Sequence, residues 1–452
     1  MKLQRTDTRS RGSVLIVSLI LAAILGVTLA GYLIMTQAQN AAVARSQVWN
    51  TAITLGEAGV EDALALINKY AGNYDEITNW AKPASIAADN WTQLGNNVYY
   101  VRRFLGQNYY DVYITNINNS PVISSRGYVP WSYAWGGGSQ PLLAAVGSAS
   151  QSPHYITRKL EVQTRYDALF AVAMAAFQVI DMNGNNVATD SFDSADPNHS
   201  INGLYPFSNP SMVKSNGDVC TLATIINSIN VGNANIKGVA RTGPNGTVSV
   251  GPNGYVTGGI YNDFNVVFPD VVLPSTSWLP VALRNYKVGS RTFDYAILTS
   301  GDYYLNNFSS TLYIGSNVTV RLLMLGTVNM TGQDEIRIAQ GASVKCYMVG
   351  SSFKANGNGL VNDNGNAASF FYFGLPSNTA VEFGGNGTFV GAIYAPQAAF
   401  KLNGSGSNPR DFIGASVTKN VTMNGSFKFH YDENLRRIGP GRGYVATNWK
   451  ET

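Results

Sequence analysis

Hydrophobic and polar positions divide the chain into three stretches with different periods. From Ser13 to Met35 it is almost continuously apolar, 23 residues of mostly Val, Leu, Ile and Ala with no charge. As a helix that stretch is about 35 Å long, enough to cross a hydrocarbon core of about 30 Å. Beyond it, up to Tyr70, there is no proline. Val48, Ala52, Leu55, Gly59, Ala63 and Leu66 recur there at three- and four-residue steps, which marks one face of an amphipathic helix. Gly72 offers a C-cap. Residues 13–72 therefore predict one long helix of roughly 85 Å, with a membrane span at 13–35 and an amphipathic second half.

The period then drops to two. Residues 73–95 read as a linker with a short helix, interrupted at Pro83 and Gly95. Four strand-like runs follow: VYYVRRFL, YYDVYITN, VISSRGYV and YITRKLEVQTRY. In the last, Ile156, Leu160 and Val162 face one way, and Thr157, Lys159 and Glu161 the other. The first two are separated by Gly106–Asn108, a hairpin-length turn. These runs predict a small antiparallel sheet packed on the helix, a β head over 73–166. The insertion PWSYAWGGGSQP interrupts the third and fourth strands. Its Trp131, Tyr133 and Trp135 read either as a local hydrophobic plug or as a sticky surface loop.

From about Asp167 to Leu435 the chain repeats itself. VGNANIKGVARTG at Val231 recurs loosely as VGPNGYVTGGIYN at Val250, and FVGAIYAPQAAFKLNG at Phe389 as FIGASVTKNVTMNG at Phe412. The glycine pairs Gly238/Gly258, Gly391/Gly414 and Gly404/Gly425 fall about 20–23 residues apart. Short alternating strands with Gly and Asn corners at that period predict a right-handed parallel β-helix over 167–435, whose stacked coils share one core. The tail 436–452, with its GPGRG, reads as irregular. The fold class is α+β: a long N-terminal transmembrane and amphipathic helix with a small antiparallel sheet, then the β-helix.

Composition narrows the function. Only 13% of residues are charged, about half of the ~25% usual in soluble domains. The net charge of +4 is small, and no Lys/Arg stripe follows the N-terminus, so nucleic acid is not an expected partner. Two cysteines, Cys220 and Cys346, make no disulfide framework. In SVKCYMV, Val344, Cys346 and Met348 share one strand face, which reads as a buried thiol. Lys2, Arg5, Arg9 and Arg11 precede the apolar run against Asp7 alone, so the N-terminus is expected in the cytoplasm. The run is too long for a secretory signal peptide.

A short basic leader ending in Gly, an apolar helix beginning at the next residue and a protruding amphipathic half resemble the type IV pilin class. RGSVLIVSLILAAILGVTLAGYLI followed by GEAGVEDALALI is similar to the PilX-type minor pilins and their pseudopilin relatives. The resemblance covers about the first 70 residues. It implies that a prepilin peptidase cuts the 1–12 leader after Gly12, that the new N-terminal Ser13 is methylated, and that the helices leave the inner membrane to pack as a filament core. Val17, Glu57 and Glu61 are the helix-assembly positions it implies. Major pilins carry a Glu where this chain has Val17. A carboxylate there would cancel the charged amine of a neighbouring subunit inside an apolar bundle, so a low-copy or tip subunit fits better. The second half resembles the repeat domain of uncharacterised activity found behind PilX-type N-termini, through DSFDSAD (Asp190–Asp196), GAIYAP (Gly391–Pro396) and FHYDENL (Phe429–Leu435). A single-span anchor that is never cut remains the alternative.

Chemistry is sparsely signalled. Asp190, Asp193 and Asp196 are three apart, which suits turn residues or a calcium loop rather than one strand face. His430 and Asp432 would share one side of a strand near Glu433, with no nucleophile beside them, as a cap over the last coil. The three histidines (His154, His199, His430) have no zinc spacing, and no P-loop, dinucleotide fingerprint or nucleophile elbow is present. No catalytic, cofactor-binding or metal residue is assigned. The expected function is a minor pilin- or pseudopilin-like structural subunit of a type IV pilus or type II secretion filament. Its expected partners are other pilin subunits, prepilin peptidase, the inner membrane and a glycan or surface ligand. The alternative is a membrane-anchored β-helix carbohydrate-active enzyme, a polysaccharide lyase or hydrolase.

Overall fold

The structure, a computed structural model, describes residues 11–71, 80–116, 120–131, 154–184, 186–384, 388–404 and 410–452. The leader up to Ser10, residues 72–79 of the linker and the loop carrying Tyr133 and Trp135 lie outside the described residues. The chain forms two compact units. Met1–Ile67, Ala81–Arg165 and Tyr444–Thr452 make unit 1; Asn68–Trp80 and Tyr166–Gly443 make unit 2.

In unit 1 the long helix α1 runs from Arg11 to Ile67. Its second half buries Ala52, Leu55, Gly59, Ala63 and Leu66 and half-buries Val48, the face that the three- and four-residue steps mark. That face packs on an antiparallel sheet. After the short helix α2 (Pro83–Ala88) come β1 (Thr92–Gly95), β2 (Val98–Leu105), β3 (Asn108–Thr115), β4 (Val122–Trp131) and β5 (His154–Ala168). Each pairs antiparallel with the next. The β2–β3 turn is tight, with Leu105 opposite Asn108 and Gly106 at φ +68°, a conformation that favours glycine. The helix lies close on the sheet because glycines meet there: a Cβ on Gly127 would lie 2.1 Å from the Ala52 carbonyl oxygen. Arg103 of β2 reaches Asp62 of α1 at 3.0 Å.

The tail, expected to be irregular, instead forms a short helix (Leu435–Ile438) and an 11-residue strand, Gly441–Glu451, which joins the sheet beside β5. Its own alternation is weak, with Tyr444 buried but Trp449 exposed. Order comes from the edge of β5: the Thr452 N–H donates to the Lys159 carbonyl at 3.0 Å, and the Thr447 hydroxyl to that of Gln163 at 3.2 Å.

Unit 2 is mostly parallel sheet. β6 (Met174–Ala176), β7 (Ile180–Asp181) and β8 (Ala188–Phe192) pair in parallel with β9 (Val219–Thr221), β10 (Ile229–Gly232) and β11 (Asn235–Ile236). Those in turn pair with β12 (Ala240–Arg241), β13 (Val248–Val250) and β14 (Tyr255–Val256). Each strand thus meets the strand three places on, so three-strand layers stack. Strands Thr319–Met324, Ser343–Met348 and Phe370–Gly374 continue that pairing, while the 15-residue Phe389–Asn403 pairs in parallel with both Phe370–Gly374 and Ala380–Phe383, and Arg410–Asn424 with it. The repeats read from the sequence lie in adjacent layers. Gly391 is opposite Gly414, and Phe389, Phe412 and Phe429 stack with ring centroids 4.6 and 4.3 Å apart. A Cβ on Gly414 would meet the Gly391 carbonyl oxygen at 1.9 Å, so only glycine fits that column.

The layers do not stack in sequence order. The last strands, Arg410–Asn424 and Phe427–Asp432, pair with the first, β6, β7 and β8. The chain starts mid-stack, winds out to β15 (Ile260–Tyr261), and then crosses back as an extended strap over 264–278. The strap touches Thr242 at its start (Phe264 N–H to the Thr242 carbonyl, 2.9 Å), Tyr394 midway (hydroxyl to the Pro269 carbonyl, 2.6 Å) and Asp302 at its end (from the Thr276 hydroxyl, 2.6 Å). One register column, Leu323, Tyr347, Phe373, Tyr394, Val417 and Ala175, lies on the opposite side of its sheet from Leu322, Cys346, Tyr372 and Ile393, and both columns are buried. Strap residues Phe268 and Val271 are buried with them, and Trp278 meets the Tyr347 ring edge-on at 6.2 Å. A parallel sheet covered on both faces reads as continuous apolar runs rather than alternation, as in FFYFG and GAIYAP. Cys220 and Cys346 are both buried free thiols.

The helix–sheet contact of unit 1 is directly testable. Gly127→Ala is expected to cost about 1–3 kcal/mol by overpacking, measured by chemical denaturation of the detergent-solubilised chain. Gly95→Ala, which meets nothing within 4 Å, should be neutral; equal effects would show that the close approach is unimportant.

Candidate functional site

The residues singled out in α1 split by environment. Gly12 and Ser13 lie in the first turn of the helix, which begins at Arg11. Val17 is 54% exposed and belongs to an apolar run that no described residue covers. Glu57 and Glu61 are both exposed, one turn apart, and point away from the buried Leu55, Gly59 and Val60. Nothing in the structure brings Val17 and the two glutamates together; they share only a helix.

The two acidic motifs of unit 2, by contrast, meet. Strand Phe427–Asp432 pairs with β8 so that His430 is opposite Asp190, Tyr431 opposite Ser191 and Asp432 opposite Phe192. His430, 3% exposed, is held from both sides: Nδ1 lies 2.6 Å from Asp190 Oδ1, and Nε2 3.2 Å from Asp411 Oδ1. Tyr205 stacks on the imidazole at 3.7 Å between centroids, and its hydroxyl donates to the second Asp190 oxygen at 3.0 Å. Burial alone would pull the imidazole pKa down, but the bonds to Asp190 and Asp411 together outweigh it, and it ends above its ordinary value.

Around this centre the other carboxylates are also held. Glu433 accepts from Ser191 at 2.8 Å, Asn216 at 2.7 Å and Lys214 at 2.5 Å. Burial raises its pKa, but these bonds bring it below the usual value. Asp193 pairs with Arg437 and accepts the Ala195 N–H at 3.1 Å, while Asp196 accepts the Asn198 N–H at 2.9 Å. Both therefore serve as turn residues. Asp432 is fully buried, and burial raises its pKa; one oxygen accepts the Ser194 and Asn434 N–H groups at 3.1 Å. Of the other histidines, His199 lies at 2.9 Å from the Met212 carbonyl. Among the described residues no three His, Cys, Asp or Glu side chains are placed to hold a metal ion. GAIYAP lies in the strap-covered sheet, apart from the cluster.

With both imidazole nitrogens on carboxylates and Tyr205 over the ring, His430 offers no free lone pair to act as a base. What the arrangement does is join the last layer to the first through charge-assisted hydrogen bonds. Tyr205, Lys214, Asn216 and Asp411 escaped the sequence reading. The first three come from the insertion between β8 and β9, and no spacing in the chain ties any of them to His430.

Residues 284–438, about a third of the chain, match a family described as Domain of unknown function (DUF7305). No curated protein matches. Among solved structures, the competence-associated pilin ComZ from Thermus thermophilus aligns with 89% of this chain and 97% of its own, at 9% identity and a TM-score of 0.28. That likeness is too distant to bear on function.

The raised imidazole pKa fixes the sign of a pH effect. A group with a raised folded-state pKa stabilises fully below its unfolded value, 6.5 for His, and loses that contribution as pH rises through the folded value. His430→Asn is therefore expected to cost about 3–5 kcal/mol near pH 6. The gap from wild type should narrow as pH rises through the raised folded-state value, as read by denaturation across pH. A gap that widens with pH would overturn the assignment of a charged imidazole.

Proposed function

We propose that this chain is a minor pilin- or pseudopilin-like subunit of a type IV pilus or type II secretion filament. On this reading it displays a right-handed parallel β-helix for contact with a surface or a glycan. The observation that carries the reading is the uncovered half of α1. Between Val14 and Met35 every large apolar side chain is 51–74% exposed, on a helix long and apolar enough to cross a membrane. Each such side chain gains about 1.5–3 kcal/mol on leaving water, so the run requires lipid or a bundle of like helices. The basic leader before it orients the N-terminus to the cytoplasm.

The finer steps follow from the residues that carry the resemblance. Prepilin peptidase cuts after Gly12 and Ser13 becomes the methylated N-terminus. The helix then passes from the inner membrane into a filament at the cell surface or in the periplasm. Val17 brings no carboxylate into the bundle to neutralise a neighbour's amine, which suits a low-copy subunit. Glu57 and Glu61, exposed beyond the apolar run, would meet basic groups of adjacent subunits. The i to i+3 parallel pairing of unit 2 supports the β-helix, and its three-strand layers support the stacking of repeats.

Gly12→Ala is expected to leave the precursor uncut. Intact-mass analysis would then find the full leader in the membrane fraction and no protein in sheared filaments. Normal assembly of that variant would sink the proposal and leave a static anchor.

A further inference from the structure

One end of the stack in unit 2 is unfinished. Strands β13, β14 and β15 pair with β10, β11 and β12 on one side and, among the described residues, with no strand on the other. In a parallel ladder a residue that bonds the next strand stands opposite one that directs its own N–H and C=O the other way. Ile229 donates to the Thr247 carbonyl at 3.4 Å, Ala240 donates to that of Gly259 at 3.1 Å, and Ile236 accepts from the Thr257 N–H at 3.0 Å. Opposite Ile229, Ala240 and Ile236 stand Val248, Ile260 and Val256. These three therefore turn N–H and C=O outward from the stack. The core opens at the same place. Ile229, Ile236 and Ala240 are wholly buried, but Val248 and Val256 are half-buried and Ile260 is 50% exposed. Stacked repeats ordinarily close such an end with a polar cap, and open strand edges invite pairing with another chain.

The complement of this end is a layer rather than a strand. A single extended peptide would complete one of the three edges and leave the core columns open. From Thr242 to Asn262 the chain carries no charge, and Arg241 and Asp263, which flank that stretch, pair with each other at 2.7 Å. An identical layer can therefore approach without like-charge repulsion. The opposite end of unit 2 is a poorer match, because the antiparallel pair Leu283–Val288 and Arg291–Ile297 brings Arg284, Lys287 and Arg291 there. Each outward edge offers both a donor and an acceptor, a set complementary to itself. A two-fold axis through one of the three strands turns that strand antiparallel onto its own copy and exchanges the other two, so all three edges are paired at once.

We infer that the β13–β15 end docks a second copy of this chain, the two joined end to end about a two-fold axis by backbone pairing over a shared apolar core. The inference goes beyond the filament reading above and needs neither α1 nor cleavage at Gly12.

It is tested on the full chain in detergent, by light scattering and by amide hydrogen exchange between roughly 1 and 100 µM. The protein mass should rise to at least that of two chains. The amides of Val248, Val256 and Ile260 should exchange roughly tenfold or more slowly at the high concentration. Association through α1 alone would leave those amides unchanged, and that result would overturn the inference, as would a monomer throughout. Ile260→Lys places a side chain that reaches water in the free layer but meets the copy's core in the pair, so it should abolish the slowing. Val256→Lys is the second end-layer variant should Ile260→Lys fail to fold. Leu105→Lys, exposed at the β2–β3 hairpin, should behave as wild type. Slowing that persists in the end-layer variants would overturn the inference and leave the Gly12 reading standing.

Discussion

A strand in a parallel layer leaves half of its backbone groups without partners until another layer lies beside it. In unit 2 the layer that completes the first one is 240 residues away: Asp190 and His430 are bonded neighbours across that separation. The body closes when strands Arg410–Asn424 and Phe427–Asp432 reach β6, β7 and β8, and the rest of its organisation follows from that closure. Outward layers on both sides need a return path, so the strap crosses them. Contacts of such long sequence separation are slow to form.

The cluster at the closure is built to survive burial. An imidazole between two carboxylates gains charge-assisted bonds that an apolar interior would otherwise deny it. Glu433, Asp193 and Asp432 each have their own donors. The insertion between β8 and β9, which breaks the repeat, supplies Tyr205 and Lys214 for this purpose. An interruption of the repeat thereby pins its own layers.

α1 obeys the opposite rule. Its second half is satisfied within unit 1, where glycines let helix and sheet approach to backbone contact. Among the described residues its first half has no covering partner. One helix thus carries a folded-domain face and a face that only another hydrophobic phase completes, and the boundary between them is where amphipathic spacing replaces the continuous apolar run.

The elements whose signals are local were legible in the sequence. Charge-free length determined α1 and its capacity to span a membrane. Three- and four-residue spacing determined the face with Ala52, Leu55 and Gly59, and alternation with a short turn determined the β2–β3 hairpin. Repeated glycines and phenylalanines aligned the layers at Phe389 and Phe412. The strap, the terminal strand and the His430 partners were not legible, because their residues acquire meaning only from what lies beside them. Tyr394 and Phe373 read as ordinary strand residues until the strap covers them, and Gly441–Glu451 is a strand because β5 has an edge to fill. Sequence alone determined which segments must hide from water; the tertiary structure decided which parts of the chain, far apart in number, hide and bond them.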